Sequence, residues 1–205
     1  MSADKKRQHS ILVFGPPGSG KGTIGQFLSH VCDQCHLSSG DIFRGLSSDS
    51  EGGQLFQRYA TKGQLLPDDA TIDIFKSYLE GLIATNRFFP SRQFLLLDGL
   101  PRTLQQAKAI DQFLDVKQVI VLQVPSEQIL VDRLFRRASL EGRADDQSEE
   151  ILKKRFEVYH QQTKEVLSHY PDSIIKRFNA DQKPFAVLRD ILVDLSDLFT
   201  KGSQA

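Results

Sequence analysis

Hydrophobic positions along this chain fall into two alternating kinds of run. Short continuous apolar runs that stop at glycine, proline or aspartate occur at 10–14, in "QFLLLDGLP", in "KQVIVLQVP" and, with weaker alternation, in "SIIKRFN". Runs of this length bounded by turn residues read as buried parallel strands. Between them, apolar residues recur three and four apart. A helix starts at Lys21, with Ile24, Phe27, Leu28 and Val31 predicted on one face, and further helices are predicted over 105–114, 126–138 and 148–170. Strands alternating with helices predict an α/β fold whose open parallel sheet is covered on both faces. Ligands of such sheets sit outside the carboxyl ends of the strands. Two stretches break the alternation: 38–67, polar and dotted with glycine, and 136–146, "RRASLEGRADD". No repeat or linker divides the 205 residues, so one domain with two insertions is expected.

The strand ends carry the candidate chemistry. After the first comes "GPPGSGKGT", in which Gly18, Ser19, Gly20, Lys21, Gly22 and Thr23 lead into the helix. Small residues let successive backbone N–H groups converge on a phosphate, and the helix adds its positive end. Lys21 can reach terminal phosphates and Thr23 can offer a hydroxyl to magnesium. A plain turn before a helix explains neither the density of glycine nor the lysine. Asp98 closes the "FLLLD" strand. Beside a phosphate loop, a carboxylate there holds magnesium, directly or through water; without one, it would only cap the turn before "GLPR".

Arg44, Arg102, Arg133, Arg136, Arg137, Arg143 and Arg155 fall in or near the strand-end and insertion segments. The planar fork of arginine suits phosphate, although any single one reads first as a solvated surface charge, Arg102 less so because it sits just past a strand end. The histidines at 9, 30, 36, 160 and 169 are all predicted away from strand ends. A hydroxyl acceptor would need a base, whereas a phosphate acceptor is already ionised near neutrality. Arginine without a base therefore points to phosphate attacking phosphate.

Charge narrows the partners. Twenty-six Lys and Arg balance 26 Asp and Glu, which argues against broad capture of nucleic acid or an anionic membrane. The polar N-terminus and the brief apolar run at 11–14 suit neither a signal peptide nor a membrane span, so a cytoplasmic protein is expected. Cys32 and Cys35 form a lone Cys-x-x-Cys that lacks the second pair a structural zinc site needs. They read as two reduced thiols, with a redox motif as the alternative.

From Ile11 to about Leu195 these motifs resemble the nucleoside monophosphate kinases and, within them, the adenylate kinases. The resemblance implies a P-loop NTPase-type three-layer fold, a nucleoside-monophosphate-binding insertion at 38–67 and a lid at 136–146. It accounts for Gly22, which stands between the lysine and the threonine in this family's loop. In "HLSSGDIFR", Ser39 would meet AMP and Arg44 its phosphate; in "GQLLPD", the backbone of Gln64, Leu65 and Leu66 would line its base and ribose. In "DGLPRTLQQA", Gly99 and Arg102 would bind AMP, Arg102 at the phosphate, and Gln106 would hydrogen-bond adenine. Arg133 would stack on the ATP adenine, Arg137 and Arg143 would clamp phosphates, Arg155 would be a further phosphate ligand, and the backbone near Lys183 would touch the ATP base. Lys21, Arg102, Arg137, Arg143 and Arg155 form the implied catalytic set, with Thr23 and Asp98 at the magnesium.

Only "ASLEG" separates Arg137 from Arg143, so the lid is of the short form that binds no zinc. The implied reaction is reversible transfer from MgATP to AMP, giving two ADP, by a monomer that needs neither nucleic acid nor membrane. Another monophosphate acceptor and a nucleotide-gated switch are the alternatives.

Three positions depart from the family pattern. Leu100 replaces an aromatic wall, which would loosen base selection, and Ser39 replaces threonine but keeps the hydroxyl. One extra residue between Asp146 and Arg155 makes Lys154 a rival of Arg155, unless Asp146 or Ser148 caps the helix and absorbs it. Ile151, Leu152, Phe156 and Tyr159 would then form the buried face. Gly40 and Gly142 are the expected pivots.

Overall fold

The computed structural model describes residues 7–141 and 148–202. Five strands, β1 (Gln8–Phe14), β2 (Cys35–Ser38), β3 (Leu95–Asp98), β4 (Leu114–Gln123) and β5 (Ile175–Asn179), form one sheet in the order β2-β3-β1-β4-β5. Every pairing is parallel. The helices are α1 (Lys21–Cys32), α2 (Ser39–Arg44), α3 (Glu51–Ala60), α4 (Asp68–Ala84), α5 (Leu104–Ile110), α6 (Glu127–Glu141), α7 (Glu149–Leu167) and α8 (Pro184–Gly202).

Alternation along β1 divides the core. Ile11 and Val13 face α1 and α8, where they pack with Ile24, Leu28, Ile191 and Leu195. Leu12 and Phe14 face the opposite way, onto Phe75 and Leu79 of α4, Ile110 of α5 and Val166 of α7. Both faces are covered, which is why residues 11–14 of β1 and 95–97 of β3 are continuous apolar runs. A third cluster, Leu130, Leu134, Leu152 and Phe156, joins α6 to α7. β1 and β4 are neighbours, yet β1 leads through α1 to one edge of the sheet and β4 leads through α6 and α7 to the other. The crevice between such strands is where open α/β sheets bind ligands.

Several expectations need correcting. β2 escaped the hydrophobic pattern because only Cys35 and Leu37 of its four residues point into the core. α4 and α8 were not assigned either. The helix expected over 105–114 ends at Ile110; a turn follows, and Leu114 instead opens β4 opposite Gln8. The buried stripe of α1 runs through Ile24, Gly25 and Leu28 with Cys32 beside it. Phe27 and Val31 lie on its flank, 40% and 64% exposed. The 38–67 stretch is largely helical, in α2 and α3, and α6 continues to Glu141, through the first half of the expected lid. Gly142, Arg143, Asp146 and the rest of that lid lie outside the described residues. Among the described residues no helix is long and apolar enough to cross a membrane.

Candidate active site

The loop after β1 folds onto its own lysine. Lys21 Nζ donates to the carbonyl oxygens of Gly15 (2.8 Å) and Pro16 (3.1 Å), and the Ser19 N–H closes the turn on Pro16 at 3.1 Å. Gly20, at φ +95°, caps α1 without a side chain, so the first N–H groups of the helix open into the loop. Gly18, at φ +81°, packs against α6: a Cβ there would stand 2.8 Å from the Leu130 carbonyl oxygen. Burial pulls the Lys21 ammonium from the ordinary 10.5 down to about 8; Arg102, Arg155 and Arg137 push the same way, and Asp98 opposes them. Four cationic side chains, from the loop, the turn after β3, α6 and α7, thus share one electrostatic neighbourhood.

Asp98 is buried at the end of β3, level with Val13 of β1 and Ser38 of β2. Its Oδ2 faces the first turn of α1, 3.7 Å from where a Cβ on Gly22 would lie. Thr23, one residue on, is exposed. A carboxylate and a hydroxyl are hard oxygen donors, and the pair fits magnesium, which keeps water and phosphate oxygens as its remaining ligands. Among the described residues no group of three or more His, Cys, Asp or Glu could hold a metal ion.

Beside Lys21 opens a cavity walled by α2, α3, the 63–66 turn, the segment after β3, and α7. Of the expected acceptor-site residues, Arg44, Gln64, Leu65, Leu66, Gly99, Arg102, Gln106 and Arg155 line it, together with Gly40 and Leu100. Arg102 Nε donates to the Gly99 carbonyl at 2.7 Å, and Arg44 pairs with Asp41 at 2.5 Å. Ser39 is buried and does not line the cavity; its hydroxyl donates to the same Gly99 carbonyl at 2.8 Å. Gln106 is held by two hydrogen bonds, from the Arg102 N–H (2.7 Å) and to Asp68 Oδ1 (2.7 Å).

The α7 register resolves in favour of Arg155. Ser148 caps the helix, accepting from the Ile151 N–H, and Leu152 and Phe156 are buried with Ile151 and Tyr159 half-buried. Lys154 is exposed and pairs with Glu157 at 3.3 Å, while Arg155 reaches the cavity.

The expected donor-side residues lie elsewhere. Arg133 Nη1 donates to the Ala180 carbonyl at 3.1 Å, and its Nη2 is 3.6 Å from Asp181. That ties α6 to the loop after β5, which carries the exposed Lys183. Arg137, one turn beyond Arg133, is half-buried and Arg136 exposed.

Two residues have surroundings that the sequence did not predict. His36, predicted away from strand ends, lies within β2 with its ring against α1: a Cβ on Gly25 would meet it at 2.3 Å. Its Nε2 is buried without a hydrogen bond, and burial lowers its proton affinity against the pull of Asp98 and Asp41. Asp68 ends the "GQLLPD" motif without an assigned role; only the fold carries it to Gln106.

A glycine loop between a parallel strand and a helix, a strand-end carboxylate, and arginines converging from separate elements define a phosphate-loop nucleotide kinase. The family model described as adenylate kinase matches residues 13–175. An adenylate kinase of Flavobacterium psychrophilum is 39% identical over 177 residues, covering 83% of this chain and 88% of that protein. One from Bacteroides thetaiotaomicron is 37% identical, covering 78% of this chain and 84% of its own. Adenylate kinase isoenzyme 1 of Gallus gallus is 34% identical, covering 88% and 91%. The chain belongs to the adenylate kinase family.

Proposed function

We propose that this chain transfers the γ-phosphoryl group of ATP to AMP, reversibly, giving two ADP. The observation that carries this reading is one cavity lined by Lys21, Arg102 and Arg155 together with Gln106, with Arg137 near enough to act on the Lys21 charge. A phosphate oxygen of AMP attacks the γ-phosphorus as the bond from that phosphorus to the β–γ bridging oxygen breaks, and the bridging oxygen leaves on ADP. No proton transfer is required, so the site supplies positioning and positive charge.

Gly18 to Thr23 hold the ATP phosphates through backbone N–H groups, with Lys21 reaching the group in transit. Arg133 and Lys183 hold the ATP base and Arg137 its phosphates, while Arg143 reaches the AMP phosphate. Arg44, Arg102 and Arg155 hold the AMP phosphate, with Gly99 and Ser39 shaping the turn beneath it. Gln64, Leu65, Leu66 and Gln106 hold the nucleoside. Thr23 and Asp98 hold magnesium, which neutralises phosphate charge when bound. The 38–67 and 136–146 segments close over the nucleotides and exclude water as a competing acceptor.

The balanced charge favours action on free nucleotides over capture of nucleic acid or an anionic membrane, and the chain works as a cytoplasmic monomer on this reading. A coupled ADP-release assay with ATP and AMP, GMP, CMP, UMP or dAMP tests the reading. AMP should give the highest kcat/KM. A different preferred base, or hydrolysis of ATP without transfer, would overturn it.

A further inference from the structure

Which nucleobase the acceptor cavity takes depends on which way round the Gln106 amide lies, and the structure fixes that. A side-chain amide is nearly symmetric in shape, but one end donates and the other accepts. Both neighbours of this one are chemically one-way. The Arg102 backbone N–H can only donate, so the atom 2.7 Å from it is the carbonyl oxygen, Oε1. The Asp68 carboxylate, when ionised, can only accept, so the atom 2.7 Å from Oδ1 is Nε2. Gln106 is 2% exposed and lines the cavity. Turning the amide over would set N–H against N–H at one end and oxygen against carboxylate at the other, with no solvent to relieve either.

We infer that Asp68 is a specificity-determining positioning residue, which locks the Gln106 amide in the orientation that selects a 6-aminopurine monophosphate over a 6-oxopurine one. With both locks made, Gln106 has one lone pair on Oε1 and one proton on Nε2 left for a ligand. That acceptor–donor pair complements the 6-amino group of adenine beside a ring nitrogen, N1 or N7. A 6-oxo group places oxygen against Oε1 instead, and only a reversed amide could donate to it. Asp68 touches neither phosphate nor the reacting atoms and acts through Gln106. Its carboxylate opens α4, so the helix that covers one sheet face also sets the polarity of the base site.

The inference rests on the proposed AMP phosphorylation and is tested with AMP and IMP, which differ only in the 6-substituent and the N1 proton that goes with it. Asp68→Asn keeps the size of the side chain, but its amide can donate or accept, so that end no longer dictates polarity. The ratio of kcat/KM for AMP to that for IMP should fall about tenfold, through a raised KM for AMP and a lowered one for IMP. KM for ATP should stay within twofold. In a Gln106→Ala background, adding Asp68→Asn should leave the ratio unchanged, because the lock then has nothing to hold. Should Asp68→Asn fail to fold, Asp68→Ser serves, since its hydroxyl also donates or accepts and serine suits a helix start. A variant that keeps the AMP/IMP ratio within twofold while wild type phosphorylates AMP overturns the inference alone. So does one that loses ratio equally with and without Gln106. Wild type that fails to phosphorylate AMP overturns the functional reading as well.

Discussion

Replacing Lys21 by methionine should kill the enzyme and stabilise the empty protein. Burial and the charges of Arg102, Arg155 and Arg137 bring the lysine from 10.5 to about 8 despite Asp98. Each tenfold drop in proton affinity is worth about 1.4 kcal/mol, so holding this charge costs the free protein about 3 kcal/mol. The two hydrogen bonds to Gly15 and Pro16 return about 1–2 kcal/mol. Lys21→Met removes both contributions and keeps most of the apolar stem. The ligand-free variant should therefore be more stable by about 1–2 kcal/mol, a rise in Tm of roughly 2–8 °C for a chain of this size.

Turnover should fall by at least ~100-fold, because the cation that meets the moving phosphoryl group is gone. Adding a bisubstrate mimic of two phosphate-linked adenosines should reverse the order of stability, since only wild type turns its buried charge into a phosphate contact. The assays are differential scanning calorimetry with and without the mimic, and the coupled ADP assay. A variant that melts below wild type when empty would show Lys21 to be a structural pin. A rate above about a tenth of wild type would remove it from the chemistry.

Gly18→Ala should cost about 2–4 kcal/mol, from left-handed strain at φ +81° plus collision with the Leu130 carbonyl, read as a lower midpoint in urea and a raised KM for ATP. Asp98→Asn should raise the magnesium concentration needed for half-maximal rate about tenfold or more, and EDTA should abolish turnover of both proteins; an unchanged requirement would remove Asp98 from the metal site. Burial pushes the Cys35 thiol from 9.0 up to about 11. Between those values the unfolded chain has released a proton that the folded chain keeps, so this thiol should subtract stability as pH rises from about 9 to 11, and a Cys35→Ala variant should show a shallower decline. Labelling of Cys35 near pH 8 should track global unfolding.

How much the sequence disclosed depended on whether the signal was local. The phosphate loop, Asp98 and the apolar strands were legible because backbone geometry and burial act within a few residues. Arg155 was ambiguous by one position until the cap on Ser148 fixed the register of α7. β2 was hidden because a four-residue strand with two inward side chains carries almost no periodicity. With β2 unseen, nothing placed His36 in a strand with its ring packed on Gly25. Asp68 was beyond reach, since its partner lies 38 positions away and only the packing of α4 beside α5 joins them. Leu100 and Ser39 stood out as departures, but sequence could not show that Ser39 spends its hydroxyl on Gly99.

Leu130, Leu134, Leu152 and Phe156 make a small nucleus of their own, apart from the two that sandwich the sheet. The hairpin built on it bears Arg133, Arg137 and Arg155. Local melting there would therefore displace those three guanidiniums while the strands stayed folded. Mutation of those four side chains should leave a protein that keeps its sheet, loses the α6 and α7 share of its helical circular dichroism and has lost its grip on phosphate.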